Sequence, residues 1–195
     1  MSTHSLRVGG DGRVRCAWVG TDAEYARYHD EEWGVELRGD QPLFEKITLE
    51  AFQSGLSWIT ILRRRDGFRR AFNGFDYNRI AAYDALDVER LMTDKSIIRN
   101  HAKIMATISN AEVLSEWLAE QPNALDALVW SHRPPRRPVR PTSLDEVPAQ
   151  TEQSQALARA LTLRGLRFVG PTTVYALMQS AGLVDDHIEG CWIPD

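Results

Sequence analysis

The amino-acid sequence predicts an all-α fold. Apolar residues recur at three- and four-residue steps through most of the chain, and the alternation typical of a half-buried strand is almost absent. The 195 residues, with 43 % hydrophobic and 26 % charged side chains, have the balance of a soluble globular protein. We expect a disordered extension over residues 1–13, which is polar and rich in glycine, followed by a single helical domain over residues 14–195.

The first predicted helices cover the segment from residue 42 to residue 72. Apolar side chains fall mainly at helical spacing over residues 42–53, and Gly55 then ends the run. Ser57 is a suitable N-cap for a second helix, which begins at Trp58 and continues to about residue 72. The spacing therefore predicts two helices separated by a short break at Gly55.

The second half of the chain predicts four more helices. Apolar residues are spaced for helices over 77–92, 99–119 and 151–164, and Gly165 follows the last of these as a stop signal. A final helix begins at Pro171, because proline is tolerated in the first helical turn. No repeat or linker divides these helices into separate domains.

Residues 131–150 interrupt the helical pattern. The prolines of the segment 132–141 exclude a regular helix. The same segment carries four arginines and is therefore locally basic. A solvated surface loop and a loop that contacts a phosphate backbone both fit these residues.

The charge balance excludes little about partners. The net charge is −4 and the pI is near 5.8, so the chain has no overall basic field, although a local basic patch can still bind nucleic acid. Residues 1–13 have no apolar core or cleavage site of a signal peptide, and no apolar run approaches the length of a membrane span. We expect a cytoplasmic monomer without a membrane partner or a nucleotide cofactor.

The two cysteines, one near each end of the chain, form a candidate metal site with two histidines. The pattern is Cys16-x12-His29 near the start and His187-x3-Cys191 near the end. Two thiolates and two imidazoles are the donor set of a tetrahedral zinc site. Cysteines buried as small hydrophobic residues, or a disulfide between Cys16 and Cys191, fit the same sequence. Spacing alone leaves these alternatives open.

Aromatic residues crowd the region between the first candidate ligands and the second helix. Within that crowd, Glu50 interrupts an otherwise apolar stretch, and Gln53 lies three residues later on the same helical face. A carboxylate among aromatic rings can hold a flat, cationic ligand such as a modified nucleobase. A hydrophobic core with Glu50 at its edge is the alternative. The aromatic residues concerned are Trp18, Tyr25, Tyr28, Trp33, Phe52 and Trp58.

A short connector over residues 93–98 joins two of the predicted helices. Two helices with such a connector are similar to a helix-hairpin-helix element, whose backbone N–H groups bind one DNA phosphate. Lys95, Arg99 and Lys103 give this element the positive charge it needs, whereas Ser96 lies where such hairpins usually have glycine. An ordinary pair of antiparallel helices fits the same residues.

These segments together resemble the DNA-3-methyladenine glycosylase type I family, over about residues 15–191. The matching strings are Arg15-Cys16-Ala17-Trp18, Tyr28-His29-Asp30-Glu31-Glu32-Trp33-Gly34-Val35, Gln53-Ser54-Gly55-Leu56-Ser57-Trp58, Ile97-Ile98-Arg99-Asn100, Arg167-Phe168-Val169-Gly170-Pro171-Thr172 and Gly182-Leu183-Val184-Asp185-Asp186-His187.

The resemblance implies an all-α helix-hairpin-helix glycosylase that excises N3-methyladenine from alkylated double-stranded DNA. It implies one structural zinc ion bound by Cys16, His29, His187 and Cys191. It also implies that Glu50 reads the polar edge of the base and acts electrostatically in catalysis. Tyr28 and Trp58 would stack on the base, with Trp18, Tyr25, Trp33 and Gln53 around it and Leu56 beside the gap that the extruded nucleotide leaves.

Two other functions remain compatible with the residues. A zinc hydrolase would use Cys16, His29 and His187 and keep the fourth coordination position open, although Cys191 argues against it. A DNA-binding module without catalysis would use the same connector and would release no base.

Overall fold

The computed structural model describes residues 5–194 and begins with a small antiparallel sheet. Strand β1 (Leu6–Val8) pairs with strand β2 (Val14–Cys16), and Leu6 lies opposite Cys16. The backbone N–H of Gly9 donates to the carbonyl of Arg13 and closes the turn between them. The prediction of disorder is therefore wrong for residues 5–13, because a three-residue strand escapes any test of periodicity. Residues 1–4 lie outside the described residues.

The rest of the described chain is mostly helical, as predicted, with short connections. Within residues 5–194 the α-helices are α1 (Ala23–Glu31), α2 (Asp40–Gln53), α3 (Trp58–Leu62), α4 (Arg65–Ala71), α5 (Tyr77–Ala81), α6 (Ala85–Thr93), α7 (His101–Glu120), α8 (Ala124–Ser131), α9 (Glu152–Leu163) and α10 (Pro171–Ser180).

Local capping explains where several helices begin. The side chain of Asp22 accepts from the N–H of Tyr25 at the start of α1, and Asn100 accepts from the N–H of Lys103 at the start of α7. A capping box at Asp84 starts α6, which divides the predicted helix over 77–92 into α5 and α6. Helices α1 and α8 were not predicted from the sequence.

Helix α2 lies at the centre of the fold. Nine of its fourteen residues are buried, including Lys46, Thr48 and Glu50. Helix α10 packs against α2 and α9, and α5 packs against α7. A helix that is buried on most of its surface normally carries apolar residues throughout. The three buried polar side chains of α2 therefore need a functional or structural reason.

The two ends of the described chain meet beside α1. The N–H of Trp192 donates to the carbonyl of Val14, and the N–H of Ile188 points to the sulfur of Cys16 at 3.4 Å. Residues 132–143 contain no helix or strand and lie along this C-terminal segment. None of the described helices is both long enough and apolar enough to cross a membrane. The cytoplasmic location and the monomeric state stay predictions.

Candidate functional site

Seven residues that the sequence singles out as base-binding or catalytic line one cavity of about 210 Å³. Helix α1 supplies two tyrosines, α2 supplies the two polar residues, and the tryptophans come from the segments around these helices. The lining therefore brings together side chains from several helices and the segments between them. The seven are Trp18, Tyr25, Tyr28, Trp33, Glu50, Gln53 and Trp58.

The aromatic rings form one connected series around this cavity, in which Tyr25 and Tyr28 are 6.4 Å apart between centroids. Trp18 lies 4.9 Å from Tyr25 and 5.1 Å from Trp33, measured between ring centroids. Tyr28 lies 5.5 Å from Trp58, and both rings are buried. The indole Nε1 of Trp58 is buried without a hydrogen-bond partner among the described residues. A buried donor of this kind is costly unless a ligand satisfies it.

Glu50 is the acidic group of α2 that faces this cavity. Its burial raises the pKa of the carboxyl group to about 7, while the charge of Lys46 and a hydrogen bond from Ser180 act in the opposite direction. The hydroxyl of Ser180 donates to Glu50 Oε1 at 2.9 Å. The carboxylate thus lies in a poorly solvated place with one donor, and it remains able to accept further hydrogen bonds or oppose a positive charge.

Lys46 is a second buried charge on α2, one helical turn before Glu50. Its ammonium lies 5.3 Å from the centroid of Tyr28 and 5.4 Å from that of Trp58. Burial lowers the pKa of Lys46, and the carboxylate of Glu50 opposes that effect. The sequence analysis did not select this lysine, although its position four residues before Glu50 places both on one helical face.

Helix α10 and the segment after it complete the cavity wall with residues that the sequence analysis missed. Gln179 and Ser180 lie at the end of α10, and Asp186 follows it. Asp186 directly precedes the predicted metal ligand His187, and this position is the sequence signal that could have identified it. Three apolar residues also line the wall, namely Leu144, Val147 and Ala176.

Asp186 is buried, accepts two hydrogen bonds at Oδ2 and forms an ion pair with Arg137, whereas its Oδ1 has no hydrogen-bond partner among the described residues. The guanidinium of Arg137 lies 3.0 Å from Asp186 Oδ1. The hydroxyl of Tyr175 and the amide of Gln179 both donate to Asp186 Oδ2, at 2.6 Å and 2.9 Å. Arg137 belongs to the proline- and arginine-rich segment 132–141, so that segment contacts the wall of the cavity.

Three of the four candidate metal ligands form one buried cluster. The ligand atoms of Cys16, His29 and Cys191 all lie within 4.8 Å of one another. His29 Nε2 is 3.5 Å from the sulfur of Cys191, and His29 Nδ1 is 2.9 Å from the carboxylate of Asp30. A carboxylate on the second ring nitrogen is the usual way of orienting a metal-binding histidine.

His187, the fourth candidate, lies beside this cluster and outside the group of atoms within 4.8 Å. Its ring is 5.1 Å from the ring of His29, between centroids. Its Nδ1 is 2.8 Å from the carboxylate of Asp185, and its Nε2 is buried without a partner among the described residues. Two thiols, two imidazoles and an unpartnered ring nitrogen fit the donor set of zinc.

A close backbone approach keeps the ring of His187 in this position. A Cβ atom built on Gly34 would lie 2.9 Å from His187 Cε1. Any larger residue at Gly34 would displace the ring, because real Cβ contacts are essentially never that short. The two ends of the described chain therefore bring three candidate ligands into one cluster with His187 beside it, although the sequence places the two halves far apart.

The residues predicted to contact DNA have different surroundings. Leu56 is 42 % exposed in the turn between α2 and α3, and Lys95 and Arg99 are exposed in the connector between α6 and α7. Lys103 is buried, and its ammonium donates to the carbonyls of Phe52 and Ser54 at 3.0 and 2.9 Å. The predicted DNA contact of Lys103 is therefore wrong, since its charge supports the loop that carries Leu56.

Ser96 fits its place in the connector without the freedom of a glycine. Its φ angle is not positive, and its N–H donates to the carboxylate of Asp94 at 2.7 Å. The close approach is provided by Gly67 on α4, because a Cβ atom there would lie 2.5 Å from the carbonyl oxygen of Ser96. The glycine that permits this packing therefore belongs to the opposite helix.

The chain is similar to known proteins over nearly its whole length. A family model described as methyladenine glycosylase matches residues 18–194. DNA-3-methyladenine glycosylase 1 of Escherichia coli (strain K12) is 45 % identical over 180 residues, which cover 91 % of this chain and 95 % of that protein. A crystal structure of 3-methyladenine DNA glycosylase I superposes with a TM-score of 0.87 at 46 % identity and covers 92 % of this chain and 100 % of that one.

A more distant structure shows a ligand. It is a single-residue variant of 3-methyladenine DNA glycosylase I in complex with 3-methyladenine, with a TM-score of 0.85 and 28 % identity. The superposition covers 93 % of this chain and 98 % of that chain. The family match spans nearly the whole chain, and the identity to the relatives is high over the same length. This chain therefore belongs to the methyladenine glycosylase family and is a glycosylase.

Proposed function

We propose that this chain is a DNA repair glycosylase that extrudes N3-methyladenine from alkylated double-stranded DNA and hydrolyses its N-glycosidic bond, leaving an abasic site. The observation that carries the proposal is Glu50, a buried carboxylate in an aromatic cavity, which accepts one hydrogen bond from the part of the chain that the structure describes. The named relatives are glycosylases of 3-methyladenine, and one such glycosylase binds that base. Both facts support the same substrate.

The cavity suits a flat cationic base. Methylation at N3 gives adenine in DNA a formal positive charge, which favours the faces of aromatic rings and a nearby carboxylate. Tyr28 and Trp58 stack on the extruded base, while Trp18, Tyr25, Trp33 and Gln53 surround it. Glu50 accepts from the polar edge of the base. Ordinary adenine has no positive charge to offset the cost of ionising Glu50, and this difference favours the damaged base.

The reaction asks little acid–base chemistry of the protein. The bond between the sugar C1′ and the base nitrogen breaks, and its electron pair leaves with the base, which becomes neutral. Water then adds to the sugar carbon and loses a proton to solvent. Because the leaving group is already cationic, no strong general acid is required. Glu50 opposes the positive charge that remains in the site as the bond breaks, which is an electrostatic contribution.

The DNA-facing surface is proposed from the exposed members of the predicted set. Leu56 fills the gap that the extruded nucleotide leaves in the duplex, because it is an exposed apolar residue on the loop beside Gln53. Lys95, Ser96 and Arg99 contact one phosphate from the connector between α6 and α7. Lys103 acts indirectly, because its ammonium holds the carbonyls of Phe52 and Ser54 beside Leu56.

The Cys-His cluster is proposed as a structural zinc site. Cys16, His29, His187 and Cys191 hold the ion, and four protein ligands leave no position for a reacting water. Zinc in this site supplies folding energy by connecting β2 and α1 with the C-terminal segment.

The zinc proposal predicts a specific result for Cys191→Ser. The variant loses most of its bound zinc, measured by atomic emission, and its melting temperature falls by many degrees because a metal site is also folding energy. Removing zinc from the unaltered protein with a chelator gives the same loss of stability. Retention of one zinc ion per chain by the variant, with altered activity and normal stability, would instead indicate an open catalytic site.

Release of free base from methylated duplex DNA tests the function directly. We expect purified protein to release N3-methyladenine and to leave N7-methylguanine in place, as resolved by chromatography. No release from folded protein that contains its zinc would contradict the proposal. Binding of DNA in that case, without preference for alkylated duplex, would indicate a module that only binds DNA.

A further inference from the structure

Gln179 has one feature that its neighbours in the cavity lack, namely a side-chain amide whose orientation is fixed. Its Nε2 lies 2.9 Å from Asp186 Oδ2. The carboxylate of Asp186 is ion-paired with Arg137 and accepts a hydrogen bond from the hydroxyl of Tyr175. Because an ionised carboxylate has no hydrogen to donate, the amide of Gln179 must turn its NH2 group towards Asp186. Gln179 Oε1 therefore points away from Asp186 and accepts no hydrogen bond from the described residues.

The fixed orientation of the Gln179 amide matters, because a freely rotating amide can present either a donor or an acceptor to a ligand. A glutamine that can rotate by 180° offers either a carbonyl acceptor or an NH2 donor to a ligand, at almost the same cost. Such a residue would accept from the exocyclic amino group of adenine and would donate equally well to the carbonyl oxygen of guanine. An amide with its NH2 group occupied offers only the acceptor. That choice distinguishes the two purines.

We propose that Gln179 is a specificity-determining residue that presents a fixed carbonyl acceptor to the exocyclic amino group of the extruded purine. Asp186 sets the orientation of the amide, and Arg137 holds Asp186. This inference rests on the proposed function and adds to it the group that separates N3-methyladenine from N3-methylguanine. Gln179 and Glu50 are then two acceptors on one cavity, and the amino group of adenine carries two hydrogens.

The anchoring of Asp186 supports a positioning role for that residue. Asp186 is only 3 % exposed, its Oδ2 accepts from Tyr175 and Gln179, and its Oδ1 lies 3.0 Å from the guanidinium of Arg137. A buried carboxylate with two hydrogen bonds and an ion pair is held in one place, and small displacements would weaken all three contacts. Arg137 belongs to the segment 132–141, so this segment acts on base selection through two side chains.

The penalty for the wrong base follows from the geometry. Guanine would place its carbonyl oxygen opposite Gln179 Oε1, and two acceptors that face one another in a cavity leave both without a donor. A site that is built to pair with a polar group of its substrate rejects the analogue that lacks it by several orders of magnitude. The fixed amide therefore contributes more to selectivity than to the rate with the correct base.

The test measures kcat/KM for release of N3-methyladenine and of N3-methylguanine from the same methylated duplex, and takes their ratio. We expect Gln179→Leu to lower the rate for N3-methyladenine roughly tenfold, because one hydrogen bond is lost. Asp186→Asn frees the amide of Gln179 to rotate, so the ratio falls towards one through a gain in N3-methylguanine release. Gln155→Leu alters a half-buried glutamine of α9 outside the cavity and serves as the matched control.

A second variant protects the test from structural damage. Asp186 precedes His187, so zinc content and melting temperature are measured for each variant. If Asp186→Asn loses zinc, Arg137→Met removes the anchor of Asp186 from a different segment and must also lower the ratio. An unchanged ratio in Gln179→Leu and in whichever anchor variant is folded would overturn the inference. Wild-type protein that releases neither base would overturn the proposed function, which is a different result.

Discussion

The cavity has two acidic walls, and the same end of α10 contributes to both. Ser180 donates to Glu50, and its neighbour Gln179 donates to Asp186. Among the described residues Glu50 accepts one hydrogen bond, whereas Asp186 accepts two and forms an ion pair with Arg137. We infer that a carboxylate without a directly paired cation can serve a charged ligand, whereas a carboxylate that is ion-paired and holds two donors positions its neighbours.

The buried charge of Glu50 has a cost for folding. In the unfolded chain this carboxyl group ionises near its ordinary pKa of 4.5, and in the fold burial raises that pKa to about 7. Between these values the folded state binds more protons than the unfolded state, so stability falls as the pH rises through this window. Above pH 7 the full cost is about 3 kcal/mol.

The variant with the largest expected effect is Glu50→Gln, which removes the negative charge of the buried carboxylate. Excision of N3-methyladenine falls roughly 10²-fold, because the group that opposes positive charge is lost. The free energy of unfolding rises at pH 8, by up to about 3 kcal/mol, and changes little at pH 5. Single-turnover excision and denaturant unfolding at both pH values measure these effects. Lys46 loses its counter-charge in this variant, and this reduces the gain.

Two outcomes would contradict this view of Glu50. A variant that lost its zinc or unfolded would indicate that Glu50 is a structural residue. A variant equally destabilised at pH 5 and pH 8 would indicate that the charge of Glu50 is compensated in the fold. Zinc content and a melting curve serve as controls for both.

A smaller effect is expected for Lys46→Met, which leaves Glu50 in place but removes the positive charge one helical turn before it. Lys46 lowers the pKa of Glu50 in the fold. Its loss raises that pKa further, so the ionised fraction of Glu50 at pH 7 falls. If the pKa of Glu50 rises by about one unit, the rate at pH 7 decreases roughly fivefold and recovers near pH 9. The acid limb of the pH–rate profile is the measurement.

Thr48→Val is the matched control for that variant. Thr48 lies on α2 between Lys46 and Glu50, is buried, does not line the cavity, and its hydroxyl has no partner among the described residues. Replacing it with an apolar residue of the same shape leaves the pH–rate profile unchanged and does not destabilise the protein. A shifted profile in this control would show that the acid limb reports packing of α2.

The sequence reveals the Glu50 wall far better than the Asp186 wall. Glu50 stands out because a carboxylate within an apolar helical stretch is unusual, and the aromatic residues lie close by in sequence. Gln179 and Ser180 gain their positions only when α10 packs against α2, more than a hundred residues away in sequence. No periodicity in the sequence reports that contact.

Charge misled the sequence analysis at Lys103 for a related reason. A lysine in the first turn of a helix that follows a short connector is typical of a phosphate contact. Its burial against the end of α2 is a tertiary property, and it turns the same ammonium into a support for backbone carbonyls. Lys46 was not selected from the sequence at all, because the apolar spacing of α2 draws attention to the residues around it.

The variant with the smallest expected effect is Ser180→Ala, which removes the one donor to Glu50 found among the described residues. The hydrogen bond from Ser180 lowers the pKa of Glu50, and it does so less than the charge of Lys46. Its loss therefore shifts the acid limb of the pH–rate profile in the same direction as Lys46→Met and by a smaller amount, while the rate above pH 9 stays close to that of the unaltered protein. Ser180→Thr keeps the hydroxyl and restores the profile if the larger side chain fits. An equal loss of rate at every pH would show that Ser180 shapes the cavity and does not set the charge of Glu50.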